Sequence, residues 1–222
     1  MAVTPVMAQD KPEANVNADF VSQYIWRGME LGRASALPAL EIGWKGLNLT
    51  VEGAIGLTSD QATREIDITL GYTVGGLSFG FTDYWDGTGE ETYLYSKYHR
   101  TNHEIEGFVG YDFGLFSASW QTIFAGEDGL NTKGKRAYSS YVELKCPFQF
   151  ATCDWEAEVG IVPFATSHYG TTGFGLTNVT LKVTKELPIT DRFSLPLFMQ
   201  ITGNPYDRRT YAAFGITLTT GK

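Results

Sequence analysis

The sequence predicts an all-β protein, an up-and-down antiparallel transmembrane β-barrel of about twelve strands. Apolar and polar residues alternate over most of the chain, long and short connections follow one another, and no apolar run approaches the ~20 residues of a membrane helix. We expect a single barrel domain at 9–222. It follows the remnant of a secretory signal at 1–8, because Val6-Met7-Ala8 resembles the end of such a signal; an ordinary flexible tail is the alternative.

The clearest alternation occupies three consecutive segments, 47–57, 64–74 and 77–85. Apolar residues fill most alternate positions in each, which is typical of β-strands. Gly75-Gly76 joins the second segment to the third and suits a two-residue hairpin turn, because both central residues take positive φ. This turn places the apolar residues of both strands on one face of the sheet.

The remaining strands follow the same rule. The first, at 15–28, puts Tyr24 and Trp26 on its apolar face and Arg27 on its polar face. The second, at about 36–45, is joined to the third by a turn at Lys45-Gly46. The later strands are predicted at 104–113, 116–124, 137–146, 155–161, 178–183, 193–202 and 212–219.

The lengths of the connections distinguish the two ends of the predicted barrel. Short turns at 45–46, 75–76 and 112–115 alternate with longer polar segments, of which 86–102 is the longest. Barrels of the outer membrane of Gram-negative bacteria combine short periplasmic turns with long outer loops. We therefore expect this localisation, with both termini in the periplasm, as an even number of strands requires.

Charged residues alternate with apolar ones deep within the strands. A membrane barrel turns apolar residues to lipid and polar ones to the lumen, whereas the alternative, a lipocalin-like soluble barrel, does the reverse. Acidic residues outnumber basic ones, so the lumen should favour cations. The predicted lumen-lining residues are Arg27, Glu52, Asp67, Glu104, Glu106, Glu143, Lys145, Glu156, Glu158 and Lys182.

The placement of aromatic residues favours the membrane barrel. Two groups on the apolar face, one at each end of the strands, match the aromatic belts of membrane proteins. The group near the short turns is Trp44, Tyr72, Tyr111, Phe113, Phe116, Trp155 and Phe193. The group near the long loops is Tyr24, Trp26, Trp85, Phe124 and Tyr138.

The two cysteines, Cys146 and Cys153, flank a turn. If Leu144 pairs with Trp155, the cysteines lie opposite each other within reach of a disulfide, and an exported chain meets an oxidising compartment. We predict the disulfide; two free thiols are the alternative.

No catalytic, cofactor or metal site is predicted, and the chain is not expected to be an enzyme. His99, His103 and His168 lie in or beside long loops, and neighbouring strand residues such as Ser167 and His168 point to opposite faces. No residues have the spacing of a metal site. The net charge of −8 argues against a nucleic-acid partner.

Six segments resemble the TorF-type outer-membrane porin family, whose substrate is not assigned. They are ADFVSQYIWRGME (18–30), EIDITLGYTVGG (65–76), TDYW (82–85), EGFVGYDFG (106–114), DWEAEVG (154–160) and KELPITDRFSLPLF (185–198). The resemblance implies a bacterial outer-membrane barrel and covers nearly the whole chain.

We expect a passive pore for small solutes or ions, in contact with outer-membrane lipid. One alternative is a non-conducting accessory barrel that docks onto other outer-membrane proteins through 86–102. A less favoured alternative is a lipid-modifying enzyme at the barrel rim.

Overall fold

The structure is a computed structural model that describes residues 11–58, 64–87, 93, 102–190 and 193–220. Within these residues, twelve antiparallel strands close into a barrel and two further strands form a separate hairpin. The same residues contain no helix long and apolar enough to cross a membrane. The predicted barrel of about twelve strands is confirmed.

The barrel strands follow one another around the wall in chain order. The first and last close the ring by pairing with each other, and the separate hairpin follows the first strand. The strands are β1 (Glu13–Val21), β2 (Tyr24–Trp26), β3 (Met29–Gly32), β4 (Ser35–Trp44), β5 (Leu47–Gly56), β6 (Arg64–Val74), β7 (Leu77–Asp86), β8 (His103–Asp112), β9 (Ser117–Gly126), β10 (Ser140–Phe150), β11 (Cys153–Val162), β12 (Gly175–Thr190), β13 (Phe193–Asn204) and β14 (Arg209–Thr219).

The exterior of the barrel is apolar. Large side chains such as Val74 (54% exposed), Phe81 (46%) and Met199 (62%) point outward, whereas polar side chains such as Thr180 and Thr202 are buried on the inner face. This distribution is the one predicted for a membrane barrel and the reverse of the lipocalin-like alternative, in which the apolar face would fill the interior.

Short turns are gathered at one end of the barrel. Lys45 and Gly46 take φ values of 50° and 89°, and Gly75 and Gly76 take 55° and 92°, as two-residue hairpin turns require. The strands on either side of each turn pair in the predicted registers.

The turn between β10 and β11 differs from the prediction. Strand β10 continues through Phe150, and Ala151-Thr152 forms a two-residue turn with φ values of 52° and 62°. Cys146 therefore pairs with Ala157, which lies four residues along β11 from Cys153, or about 13 Å. That separation exceeds the reach of a disulfide. Both thiols are free, and the predicted disulfide is wrong.

The predicted first strand, 15–28, is also wrong in its second half. Barrel strand β1 ends at Val21, which pairs directly with Ser35 of β4. Residues 23–33 leave the wall and return to it, and β2 and β3 form a hairpin within this excursion. Arg27 and Gly28 make its tip with φ values of 48° and 81°.

Three aromatic predictions change as a result. Tyr24 belongs to β2 of the hairpin and its hydroxyl donates to Glu65 of the inner wall, so it is not on the outer apolar face. Trp26 belongs to the hairpin, where its ring meets Tyr84 of the inner wall, and so it is not on the outer apolar face. Trp85 is on the wall but only 4% exposed, because Tyr93 packs edge-on against its ring and Arg64 lies over it. Phe124 (53% exposed) and Tyr138 (56%) remain exposed near the long loops.

The barrel closes between strands that are far apart in the sequence. Residues 17–21 of β1 pair with 215–219 of β14, a register of five residues, whereas β1 pairs with β4 over nine. We call the β1–β14 junction the seam. It carries a shorter ladder of backbone hydrogen bonds than the junction on the other side of β1.

Candidate functional site: the barrel lumen

The inner wall at β5 and β6 is acidic. Glu52 and Asp67 are direct cross-strand neighbours, as expected from their predicted inward orientation, and Glu65 lies two residues from Asp67 on the same face. The Tyr24 hydroxyl donates to Glu65 Oε2 at 3.3 Å. Asp67 Oδ1 is buried without a hydrogen-bond partner among the described residues. We call Glu52, Glu65 and Asp67 the acidic wall.

No cation from the neighbouring strands compensates the acidic wall. The sequences of β1, β4 and β5 contain neither lysine nor arginine. Strand β6 contains Arg64, whose guanidinium lies 5.7 Å from the Trp85 ring centroid. Trp85 continues the outward series of β7, so Arg64 is directed away from the lumen. Like charges on this wall repel one another.

The wall across the lumen, at β10 and β11, is acidic as well but is paired with a lysine. The Lys145 ammonium lies 2.7 Å from a carboxylate oxygen of Glu158 and 3.7 Å from oxygens of Glu143 and Glu156. The single Lys145 ammonium thus lies within ion-pair distance of three carboxylates. Lys182 is the cross-strand neighbour of Glu156, and its ammonium lies 4.3 Å from the centroid of the Phe198 ring.

The tip of the β2–β3 hairpin makes the most buried ion pair. Arg27 Nη1 and Nη2 donate to the two carboxylate oxygens of Glu106 at 2.6 and 2.7 Å. The side chains of Arg27 and Glu106 are 10% and 2% exposed. Arg27 Nη1 also donates to the Tyr169 hydroxyl at 2.5 Å, and the Tyr84 hydroxyl donates to Glu106 at 3.0 Å. The Glu106 carboxylate and the Arg27 guanidinium therefore each have several hydrogen-bond partners.

Burial alone would lower the pKa of Arg27, but the Glu106 carboxylate raises that pKa well above its ordinary value. Arg27 is therefore a permanent cation. Burial raises the pKa of the Tyr169 hydroxyl more than the Arg27 cation lowers it, so the hydroxyl remains protonated. The guanidinium and its phenol partner therefore keep the same charges across the physiological pH range.

Aromatic rings surround this ion pair. Trp26 stacks on Tyr169 with centroids 6.1 Å apart, and Tyr169 stacks on Tyr141 at 5.8 Å. The Arg27 guanidinium lies 4.3 Å from the Trp26 ring centroid and 4.8 Å from that of Tyr141. We call Trp26, Tyr84, Tyr141 and Tyr169 the aromatic cluster. Flat contacts of this kind favour a guanidinium over an ammonium.

The described histidines do not form a catalytic pair with a serine. The Ser167 hydroxyl accepts from the Leu130 backbone N–H, and His168 Nδ1 lies 3.5 Å from Glu104. His103 Nδ1 lies 2.8 Å from Asp83. The third histidine, at position 99, lies outside the described residues. The part of the chain that is described contains no group of three or more His, Cys, Asp or Glu residues that could hold a metal ion.

Sequence reasoning missed the aromatic cluster. Tyr141 and Tyr169 were not singled out, because Tyr169 lies in a loop whose shape no periodic pattern predicts. Gly160 could have indicated the aromatic cluster, since a glycine on the inward face of a strand leaves room for a large side chain on the neighbouring strand. A Cβ atom built on Gly160 would lie 1.8 Å from the Tyr141 hydroxyl.

Comparison with the solved structure of the NanC porin agrees with the barrel architecture. The NanC porin aligns over 95% of this chain and 100% of its own, with a TM-score of 0.55 and 8% sequence identity. The COG4313 outer membrane channel from Pseudomonas putida F1 aligns over 93% and 94%, with a TM-score of 0.45 and 10% identity. At these identities the likeness concerns the fold alone. No protein-family model and no curated protein matches the sequence, so the resemblance to the TorF-type family stays a prediction.

Proposed function

We propose that this protein is a passive channel of the bacterial outer membrane for small solutes or ions. The observation that carries the proposal is the polarity of a closed barrel, apolar outside and charged inside. A barrel in water would expose large side chains such as Met199 and Phe214 at 62% and 66%. In a bilayer the same surface lies in hydrocarbon, and closure pairs every barrel strand on both edges.

The aromatic residues on the outer face support this environment. Trp44 (45% exposed) and Tyr111 (46%) lie near the short turns, and Phe124 and Tyr138 lie near the long loops. Rings at these two levels suit the two interfaces of a bilayer. By analogy with barrels of known sidedness, we propose that the short turns and both termini face the periplasm.

The acidic wall gives the proposed channel a preference for cations. Glu52, Glu65 and Asp67 lie on adjacent strands without a lysine or arginine beside them. Across the lumen, Lys145 compensates part of the charge of three carboxylates. The field in such a lumen is negative, attracts cations and weakens as salt screens it.

The proposal is tested by the reversal potential of the purified protein in a planar bilayer under a salt gradient. The wild type should show current with a cation preference that decreases at high salt. Replacing both Glu52→Gln and Asp67→Asn should reduce this preference, and Glu127→Gln, an exposed carboxylate in the loop after β9, should leave it unchanged. An unchanged reversal potential in the double variant would show that the acidic wall does not line a conducting path.

A second candidate is the non-conducting accessory barrel. The observation that favours it is the β2–β3 hairpin, which lies across the lumen with its tip buried against Glu106. A barrel filled in this way could serve as a membrane-embedded docking partner for other outer-membrane proteins. The absence of current both from the wild type and from a barrel without the hairpin would favour this candidate.

A further inference from the structure

The β2–β3 hairpin reaches from one side of the barrel to the other. It starts and ends at β1 and β4, which are neighbours in the wall. Its tip contacts Glu106 of β8 and Tyr141 of β10, strands on the far side of the ring, and Thr177 of β12 on one flank. The hairpin therefore crosses the lumen at the long-loop end of the barrel.

The tip is fitted closely to the inner wall. Gly28 takes a φ of 81°, and a Cβ atom at this position would lie 1.8 Å from the Thr177 carbonyl oxygen. Asn204 Nδ2 donates to the Gly28 carbonyl oxygen at 3.2 Å. A residue with a side chain would hold the hairpin away from β12, so the glycine permits the crossing.

The Arg27–Glu106 pair holds the hairpin on its other side. A bidentate guanidinium–carboxylate pair is directional, and the Tyr84 and Tyr169 hydroxyls complete its hydrogen bonding. The two charges cancel where the hairpin tip meets the inner wall. Removing either partner would leave a buried, uncompensated charge of known sign beside the path of an ion.

We propose that the β2–β3 hairpin is the constriction of the channel and that the Arg27–Glu106 pair both latches it and sets the charge there. This inference rests on the proposed channel function and adds to it the element that limits current and the residues that determine ion selectivity. Ions that cross the lumen pass beside the latched hairpin, and the carboxylates of the acidic wall carry the cation preference.

The barrel geometry allows the hairpin to be removed cleanly. Val21 pairs directly with Ser35, and Ser22 and Ala34 still bond to neighbouring wall strands. Residues 23–33 can therefore be replaced by a four-residue Gly-Ser linker that joins β1 to β4. Circular dichroism of the variant should show the β-sheet spectrum of the wild type. Its single-channel conductance should be several-fold higher than that of the wild type, and neutral sugars excluded by the wild type should enter vesicles that contain the variant.

Two single variants test the charges at the constriction. Glu106→Gln leaves the Arg27 cation uncompensated and should shift the reversal potential toward anions. Arg27→Gln leaves the Glu106 anion uncompensated and should shift it toward cations. Matched controls are Glu127→Gln and Arg208→Gln, which change the same charges at exposed loop positions and should shift the reversal potential in neither direction. A merely structural role for the pair would not give shifts of opposite sign.

The outcomes separate the two proposals. Current in the wild type that is unchanged without the hairpin overturns the constriction and leaves the channel intact. Shifts of equal sign in the two single variants overturn their role in selectivity. Current only after removal of the hairpin supports the constriction and shows that it closes the channel. The absence of current from both barrels overturns the channel, and the constriction with it.

Discussion

A charge placed on the outer face of β5 should destabilise the barrel far more than the same charge one residue away. Val51 points outward, and its cross-strand neighbours are Leu40 of β4 and Ile68 of β6. It lies four residues from the start of β5 at Leu47, or about 13 Å along the strand. With a strand tilt of ~40°, this is about 10 Å in depth, near the middle of an apolar band ~25 Å tall.

An arginine at the bilayer midplane costs about 2–4 kcal/mol. Val51→Arg should therefore lower the free energy of unfolding by that amount, which corresponds to a roughly 30- to 900-fold change in the folding equilibrium. Thr50→Arg provides the matched control, because Thr50 pairs with Glu41 and points into the lumen, where the guanidinium gains a carboxylate partner. That variant should lose less than about 1 kcal/mol.

A second control tests how the cost of an outward arginine depends on its depth in the bilayer. Leu47 is on the same face of β5 but beside the short turn, where an arginine should cost only about 0–1 kcal/mol. The assay is guanidinium chloride unfolding of the protein refolded in lipid vesicles, followed by tryptophan fluorescence and extrapolated to water. Equal losses for Thr50→Arg and Val51→Arg, or for Leu47→Arg and Val51→Arg, would refute a lipid-facing exterior.

Three further predictions concern topology, packing and the thiols. A tag inserted at Gly134, a loop position with free space around it, should be labelled on intact cells, and one at Gly75 should not; the opposite result would reverse the orientation. Gly160→Ala should lower the free energy of unfolding by about 1–3 kcal/mol because its methyl group overlaps Tyr141, whereas Gly173→Ala has open space and should be neutral in the same assay. Two thiols per unfolded chain should react with a thiol reagent without reductant. A chain with no reactive thiol would show that Cys146 and Cys153 form a disulfide.

The barrel could be predicted from sequence because its two faces differ at every strand. Alternation fixes which side chains share a face, and glycine-containing turns such as Gly75-Gly76 fix the register on either side. The neighbouring positions of Glu52 and Asp67 followed from this logic. These features depend on residues that are close in sequence or joined by a short turn.

The constriction could not be predicted in the same way. Val16, Phe20, Tyr24 and Trp26 keep a period of two across the point where the chain leaves the wall, so alternation alone continues the strand through Arg27. The contacts that define the hairpin join Arg27 to Glu106 and Tyr169, 79 and 142 residues away. The disulfide prediction was wrong for a local reason. The pairing of β10 with β11 after Cys146 depends on the Ala151-Thr152 turn, which contains no glycine to indicate its position.

The seam imposes an order on folding. Its hydrogen bonds join residues as far as 204 positions apart, as between Val16 and Thr220, so no cylinder can exist until the last strand has been made. Contacts of such long range are entropically costly to close and slow to form. The hairpin tip likewise finds its far-wall partners only in a nearly complete ring. We therefore expect assembly to end with two coupled events, joining of β1 to β14 and docking of Arg27 onto Glu106. In refolding experiments, protection of the seam amides from hydrogen exchange should appear last.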